Sequence, residues 1–90
     1  MLLWVVIIYP QFMVYYLVMS TSEQRVKLGQ RIKDLRREKN ITQVDLAAKT
    51  GIDRSYLGFI ERGERNVSFD VIAEIAKALG VGVNELTRDI

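Results

Sequence analysis

The chain has 90 residues, 49% of them hydrophobic, a formal net charge of +2, and neither Cys nor His. That length supports one small domain, while the missing residue types exclude a disulfide framework, a thiolate nucleophile and the commonest general base and metal ligand. The charge is uneven: residues 20–65 hold eleven Lys/Arg against seven Asp/Glu and residues 66–90 two against four, so the positive surplus sits mid-chain.

Residues 1–19, MLLWVVIIYPQFMVYYLVM, carry no charge, and only Pro10 and Gln11 interrupt the apolar run. Three readings fit this leader. It is long enough to span a membrane, with Trp4, Tyr15 and Tyr16 near the interfaces and the basic remainder held on the cytoplasmic side. Alternatively, Met19 before STSEQ is the true start and residues 1–18 are an upstream extension, or the stretch packs against a partner. A signal peptide fits worse, having neither a basic start nor a small-residue cleavage site.

From Ser20 onward the pattern is helical. Ser20 or Ser22 can cap a first helix running to about Lys39, with Leu28, Ile32 and Leu35 on its inward face and Asn40 suited to the stop. Arg25, Lys27, Arg31, Lys33, Arg36, Arg37 and Lys39 make this helix strongly basic, and several of them are candidates for phosphate contact. Thr42 starts a second helix, with Asp45 completing a reciprocal cap, and Gly51 ends it where the chain must turn sharply. Asp53 caps a third helix that directs Leu57 and Ile60 inward with Leu46 and Ile52, while the small Ala47 permits close approach of the two helices. Arg54, Ser55, Gly58, Phe59 and Arg62 form the outward stripe. Such a distribution suits a phosphate-facing surface as well as it suits an ordinary solvated face. After Gly63 the loop GERN leads to Ser68, which caps a fourth helix with Ile72, Ile75, Ala76 and Leu79 inward and Gly80 at its end. Val81 and Val83 lie in the connecting turn, and Asn84 caps a last short helix carrying Leu86. No strand-like alternation follows residue 20. The expectation is an all-α, five-helix domain over residues 20–90 behind an apolar extension at 1–19.

Counted from Gln43, the run QVDLAAKTGIDRSYLGFIER has Gln first, Ala fifth, Gly ninth and apolar residues tenth, fifteenth and eighteenth. This pattern resembles the helix-turn-helix of the Cro and phage-repressor (XRE-type) family, whose domain is of the lambda-repressor type. The likeness extends over residues 28–86, and IDRSYLGFIERGERN most resembles the controller proteins of restriction–modification systems. The resemblance implies that Gln43 contacts a backbone phosphate and that Arg54 and Ser55 reach base edges. Arginine can make a bidentate contact to guanine, and serine can bond to either sense of base. Tyr56 is implied at the DNA surface, or packed on helix two. Arg62, Arg65 and Asn66 match positions touching phosphate or the minor-groove edge. Phe59 departs from the polar residue many relatives carry, and two environments fit it: a thymine methyl, or partial burial against the GERN loop. Arg36 and Glu61 match an ion pair tying helix one to the recognition helix, with a phosphate contact as the alternative for Arg36.

These readings imply a sequence-specific transcription regulator without enzymatic activity, metal or cofactor. Its partner is double-stranded DNA. A recognition helix of about eight residues rises only ~12 Å, so adequate specificity calls for a homodimer on an inverted repeat. Val83, Leu86 and Ile90 are candidates for the subunit contact, or else simply close the core of the chain. The location implied is the cytoplasm, on the nucleoid. The competing reading, motivated by residues 1–19, is a membrane-tethered module that uses the same fold to bind protein. An enzyme is disfavoured because Asp34, Asp45, Asp53, Glu61 and Glu64 all have capping or pairing explanations.

Overall fold

The computed structural model describes residues 8–11, 13 and 22–90. Most of the apolar stretch 1–19 lies outside the described residues, and with it the competing readings of that stretch. Among the described residues no helix is long and apolar enough to cross a membrane.

Five α-helices occupy residues 22–87: α1 (Ser22–Glu38), α2 (Gln43–Thr50), α3 (Arg54–Glu61), α4 (Phe69–Leu79) and α5 (Val83–Thr87). Their boundaries follow local chemistry. Asn40 takes φ 57° after α1, a left-handed conformation that asparagine tolerates better than most residues. At the start of α2, Thr42 Oγ1 accepts from Asp45 N–H at 3.0 Å while the Asp45 carboxylate accepts from Thr42 N–H at 3.5 Å. Two backbone donors with no partner inside the helix are thereby satisfied. Gly51 then turns the chain at φ 72°. Asp53 caps α3 by accepting from Ser55 N–H at 2.7 Å, and Ser68 caps α4 by accepting from Val71 N–H at 3.2 Å.

The last helix departs from the sequence-based expectation. Its cap is Gly82, with no side-chain bond, and both Val83 and Asn84 lie inside the helix. Gly80 ends α4 in the left-handed region, so the chain needs only Val81 and Gly82 before Gly82 C=O accepts from Glu85 and Leu86 N–H. The bend is too short to delay the helix to Asn84. Burial of Leu86 rewards the early start.

α1 packs across α3 and reaches α4 and α5, while α2 packs on both α3 and α4. The core between them contains Leu28 and Ile32 from α1, Leu46 and Ala47 from α2, Leu57 and Ile60 from α3, and the apolar stripe of α4. Leu35 and Ile52 pack at its rim and are half-buried. Leu86 is 0% exposed. Of the two roles open to it, Leu86 takes the core of one chain, whereas Val83 and Ile90 are half-buried at the edge.

Two glycines let α1 and the end of α3 lie close together. Gly29 of α1 faces the end of α3 so tightly that a methyl there would clash with Ile60 O and lie 2.5 Å from Glu61 O. Gly63, at φ 74°, faces Val26 of the same helix, and a methyl there would lie 2.7 Å from Val26 Cα. Ala47 is buried on α2.

Candidate nucleic-acid interface

Burial fixes the end of α3 before any surface contact is considered. Glu61 carries a carboxylate whose side chain is 3% exposed, against 10% for Arg36. Arg36 Nε donates to Glu61 Oε2 at 2.8 Å and Nη2 donates to Oε1 at 3.0 Å, a two-pronged pair, while Nη1 donates to Ile41 C=O at 3.0 Å. Such geometry offsets the desolvation of a buried charge, and loss of either partner would strand the other. A third donor completes the set: Gln43 Nε2 reaches Glu61 Oε1 at 3.0 Å. One carboxylate therefore ties together α1, the first residue of α2 and the last residue of α3. Gln43 keeps its second amide hydrogen for an outside acceptor.

Two clefts meet at Gln43. The first, about 290 Å³, is lined by Gln43, Arg54, Ser55, Gly58, Phe59 and Arg62. Arg54 and Ser55, the first two residues after the Asp53 cap of α3, are exposed at its mouth. Gly58, expected on the outward stripe, is buried beneath Arg62, whose Nη1 lies 3.1 Å from where a Gly58 Cβ would stand. Arg62 itself is the residue that closes α3. The second cleft, about 640 Å³, lies between the end of α1 and the start of α2, with Lys33, Arg36, Arg37, Asn40, Thr42 and Gln43 on its walls.

Tyr56, Ser55, Phe59 and Arg65 line a further shallow depression with Asp53. Tyr56 is half-buried against the core. Phe59 is also half-buried, and its ring centroid lies 5.1 Å from the Arg62 guanidinium carbon and 4.7 Å from that of Arg65. Asn66 lines neither cleft. Its side-chain oxygen accepts from Arg25 Nη1 at 3.2 Å, fastening the 63–66 loop to α1.

The acids of this region are largely committed, which leaves the outward face positive. Glu61 is neutralised by Arg36, and Asp45 and Asp53 are caps. Glu64 pairs with Arg62 at 3.1 Å, but both side chains are about half exposed, a geometry worth little against a competing anion. Lys33 and Arg37 form no ion pair among the described residues and stand on one cleft wall. Spacing along the sequence leaves these two among seven basic residues of the helix; what sets them apart from Arg31 is their place on the wall of the second cleft. Arg31, another of the seven, is turned the other way: its Nη1 donates to the carbonyls of Glu85, at 3.1 Å, and of Arg88, closing the end of α5.

A family model described as helix-turn-helix matches residues 32–86. The immunity repressor of Bacillus phage phi105 is 46% identical over 62 residues, covering 69% of this chain and 43% of that protein's length. The crystal structure of the restriction–modification controller protein C.AhdI from Aeromonas hydrophila superposes with a TM-score of 0.67 at 49% identity, over 68% of this chain and 92% of that one. The biofilm master regulator SinR, solved in complex with DNA, superposes with a TM-score of 0.63 at 40% identity, over 66% of this chain and 95% of that one. A matching family model over more than half of the chain, superposition on the controller and SinR structures and a positive face built on α2 and α3 agree: the chain belongs to the XRE-type helix-turn-helix family of DNA-binding regulators.

Proposed function

We propose that this regulator is sequence-specific, acts as a homodimer on an inverted-repeat operator in the cytoplasm, on the nucleoid, and is of the controller or repressor kind, with no enzymatic activity. Residues 20–90 form its DNA-binding unit. The observation that carries this reading is the single cleft shared by Gln43, Arg54 and Ser55, in which Gln43 is held by a buried carboxylate while Arg54 and Ser55 stand free. A duplex placed against α3 meets Arg54 and Ser55 at its base edges and Gln43 at a phosphate. Arg62, Arg65 and Tyr56 flank the same groove, and Asn66 anchors the loop that presents Arg65. Lys33 and Arg37 continue the phosphate track into the second cleft. Arg36 serves as the partner of Glu61 and not as a phosphate ligand, since each of its three nitrogens already donates to Glu61 or Ile41 and its side chain is 10% exposed. Phosphate contacts of this kind set orientation and affinity, and base contacts set preference.

The relatives support the regulatory reading, being named as a repressor, a controller and a master regulator. Val83 and Ile90 at the free edge of α5 are the candidates for the subunit contact. Selection from random-sequence duplexes, followed by titration of the recovered site, tests the proposal. Arg54→Ala should weaken that site by ~1–3 kcal/mol per half-site and relax preference at one position in each. An Arg54→Ala protein with unchanged affinity and preference would remove the assignment.

A further inference from the structure

The outward face of α3 carries one side chain that can neither donate nor accept a hydrogen bond. Phe59 stands on the wall common to the clefts that contain Arg54 and Arg65. It is neither sunk into the core, as its neighbours Leu57 and Ile60 are, nor free in solvent. Two guanidiniums hold it, those of Arg62 and Arg65, at distances typical of cation–π contacts. The ring is thus an apolar surface fixed in position by the two cations beside it.

Helix geometry says what it meets. Phe59 follows Ser55 by four residues, so the two lie on one face about 6 Å apart along the axis. With α3 lying along the major groove, that advance spans about two base-pair steps of a duplex at ~3.4 Å each. The edges of the bases in the major groove offer hydrogen-bonding groups at nearly every position and one apolar group, the C5-methyl of thymine. Resting on the DNA-binding reading above, we propose that Phe59 reads a thymine C5-methyl about two base pairs from the base that faces Ser55, with Arg62 and Arg65 holding the ring against it. The chain then combines a hydrogen-bonding reader and a methyl reader on successive turns of one short helix.

Replacing thymine by deoxyuridine removes only the methyl and keeps every hydrogen-bonding group. Duplexes recovered by selection from random-sequence DNA, each with one thymine changed to deoxyuridine, are titrated with the full chain and with Phe59→Ala and Phe59→Gln. At one thymine per half-site the unsubstituted chain should bind the deoxyuridine duplex about fourfold more weakly, the equivalent of ~0.8 kcal/mol for one methyl-sized group kept from water. Both variants should bind the two duplexes alike. Glutamine favours helix and tolerates solvent, so it keeps the comparison open if the alanine variant folds poorly. Equal binding of thymine and deoxyuridine duplexes by the unsubstituted chain overturns the inference, as does discrimination that survives in Phe59→Gln. Failure to recover any enriched sequence overturns the DNA-binding reading instead, so the two failures are distinct.

Discussion

Glu61→Ala gives the sharpest test of how the recognition helix is held. Removal of its carboxylate strands an arginine whose side chain is 10% exposed and frees a glutamine amide. Breaking one partner of a buried pair costs ~3–5 kcal/mol. Because Arg36 keeps its bond to Ile41 C=O and touches the second cleft, the lower end applies, ~3 kcal/mol. A domain of roughly 70 residues has ~3.5–10 kcal/mol in total at ~0.05–0.15 kcal/mol per residue. The variant therefore loses a large share of its stability, and its melting temperature should fall by ~12–24 °C at ~4–8 °C per kcal/mol. Urea unfolding followed by far-ultraviolet circular dichroism measures the loss directly. Glu64→Ala is the matched control: its pair with Arg62 is half exposed, and its loss should cost under ~1 kcal/mol. Replacing both buried partners, Arg36→Met with Glu61→Leu, should recover most of the stability while leaving Gln43 unheld and DNA binding weakened. A cost for Glu61→Ala no larger than that of Glu64→Ala would refute the argument. So would a double variant as unstable as the single one.

Other substitutions probe other contacts. Gly29→Ala pushes a methyl into the backbone at the end of α3, and should destabilise by ~1–3 kcal/mol or more in urea unfolding; Gly51→Ala has open space and should cost only ~1–2 kcal/mol for its positive φ. Arg31→Ala removes the charged donor that closes α5, with an expected loss of ~1.5–3 kcal/mol and faster amide exchange confined to residues 83–90. Lys33→Gln and Arg37→Gln should each lower the slope of log affinity against log salt by about 0.9 per subunit, ~1.8 for the homodimer, without altering sequence preference. Preference that shifts in either variant would place these residues at bases and not at phosphates.

Local rules made much of the fold legible. Thr42 with Asp45, Asp53, Ser68 and the left-handed Gly51 and Gly80 are decided within a few residues of themselves, and the core faces follow from helical spacing. What escaped depends on distant partners. Nothing within four residues of Gly29 says that α3 will lie against it, and Gly58 looks outward until Arg62 folds over it. Asn84 satisfies the cap rule, yet a two-residue bend and the burial of Leu86 start the helix earlier. Within the interface, the pattern grouped Gln43, Arg54 and Ser55 but not the bond from Gln43 to Glu61, eighteen residues away. It also could not distinguish Arg31, turned to the end of α5, from Lys33 and Arg37.

The attachment of Gln43 to Glu61 has an entropic consequence. A glutamine free on a surface samples many rotamers, and immobilising such a side chain at an interface costs ~0.5–1.5 kcal/mol. Here that ordering is completed when the chain folds, because Arg36 fixes the carboxylate and the carboxylate fixes the amide. The amide meets its acceptor already aimed, so the restriction is charged to the stability of the domain and not to its association.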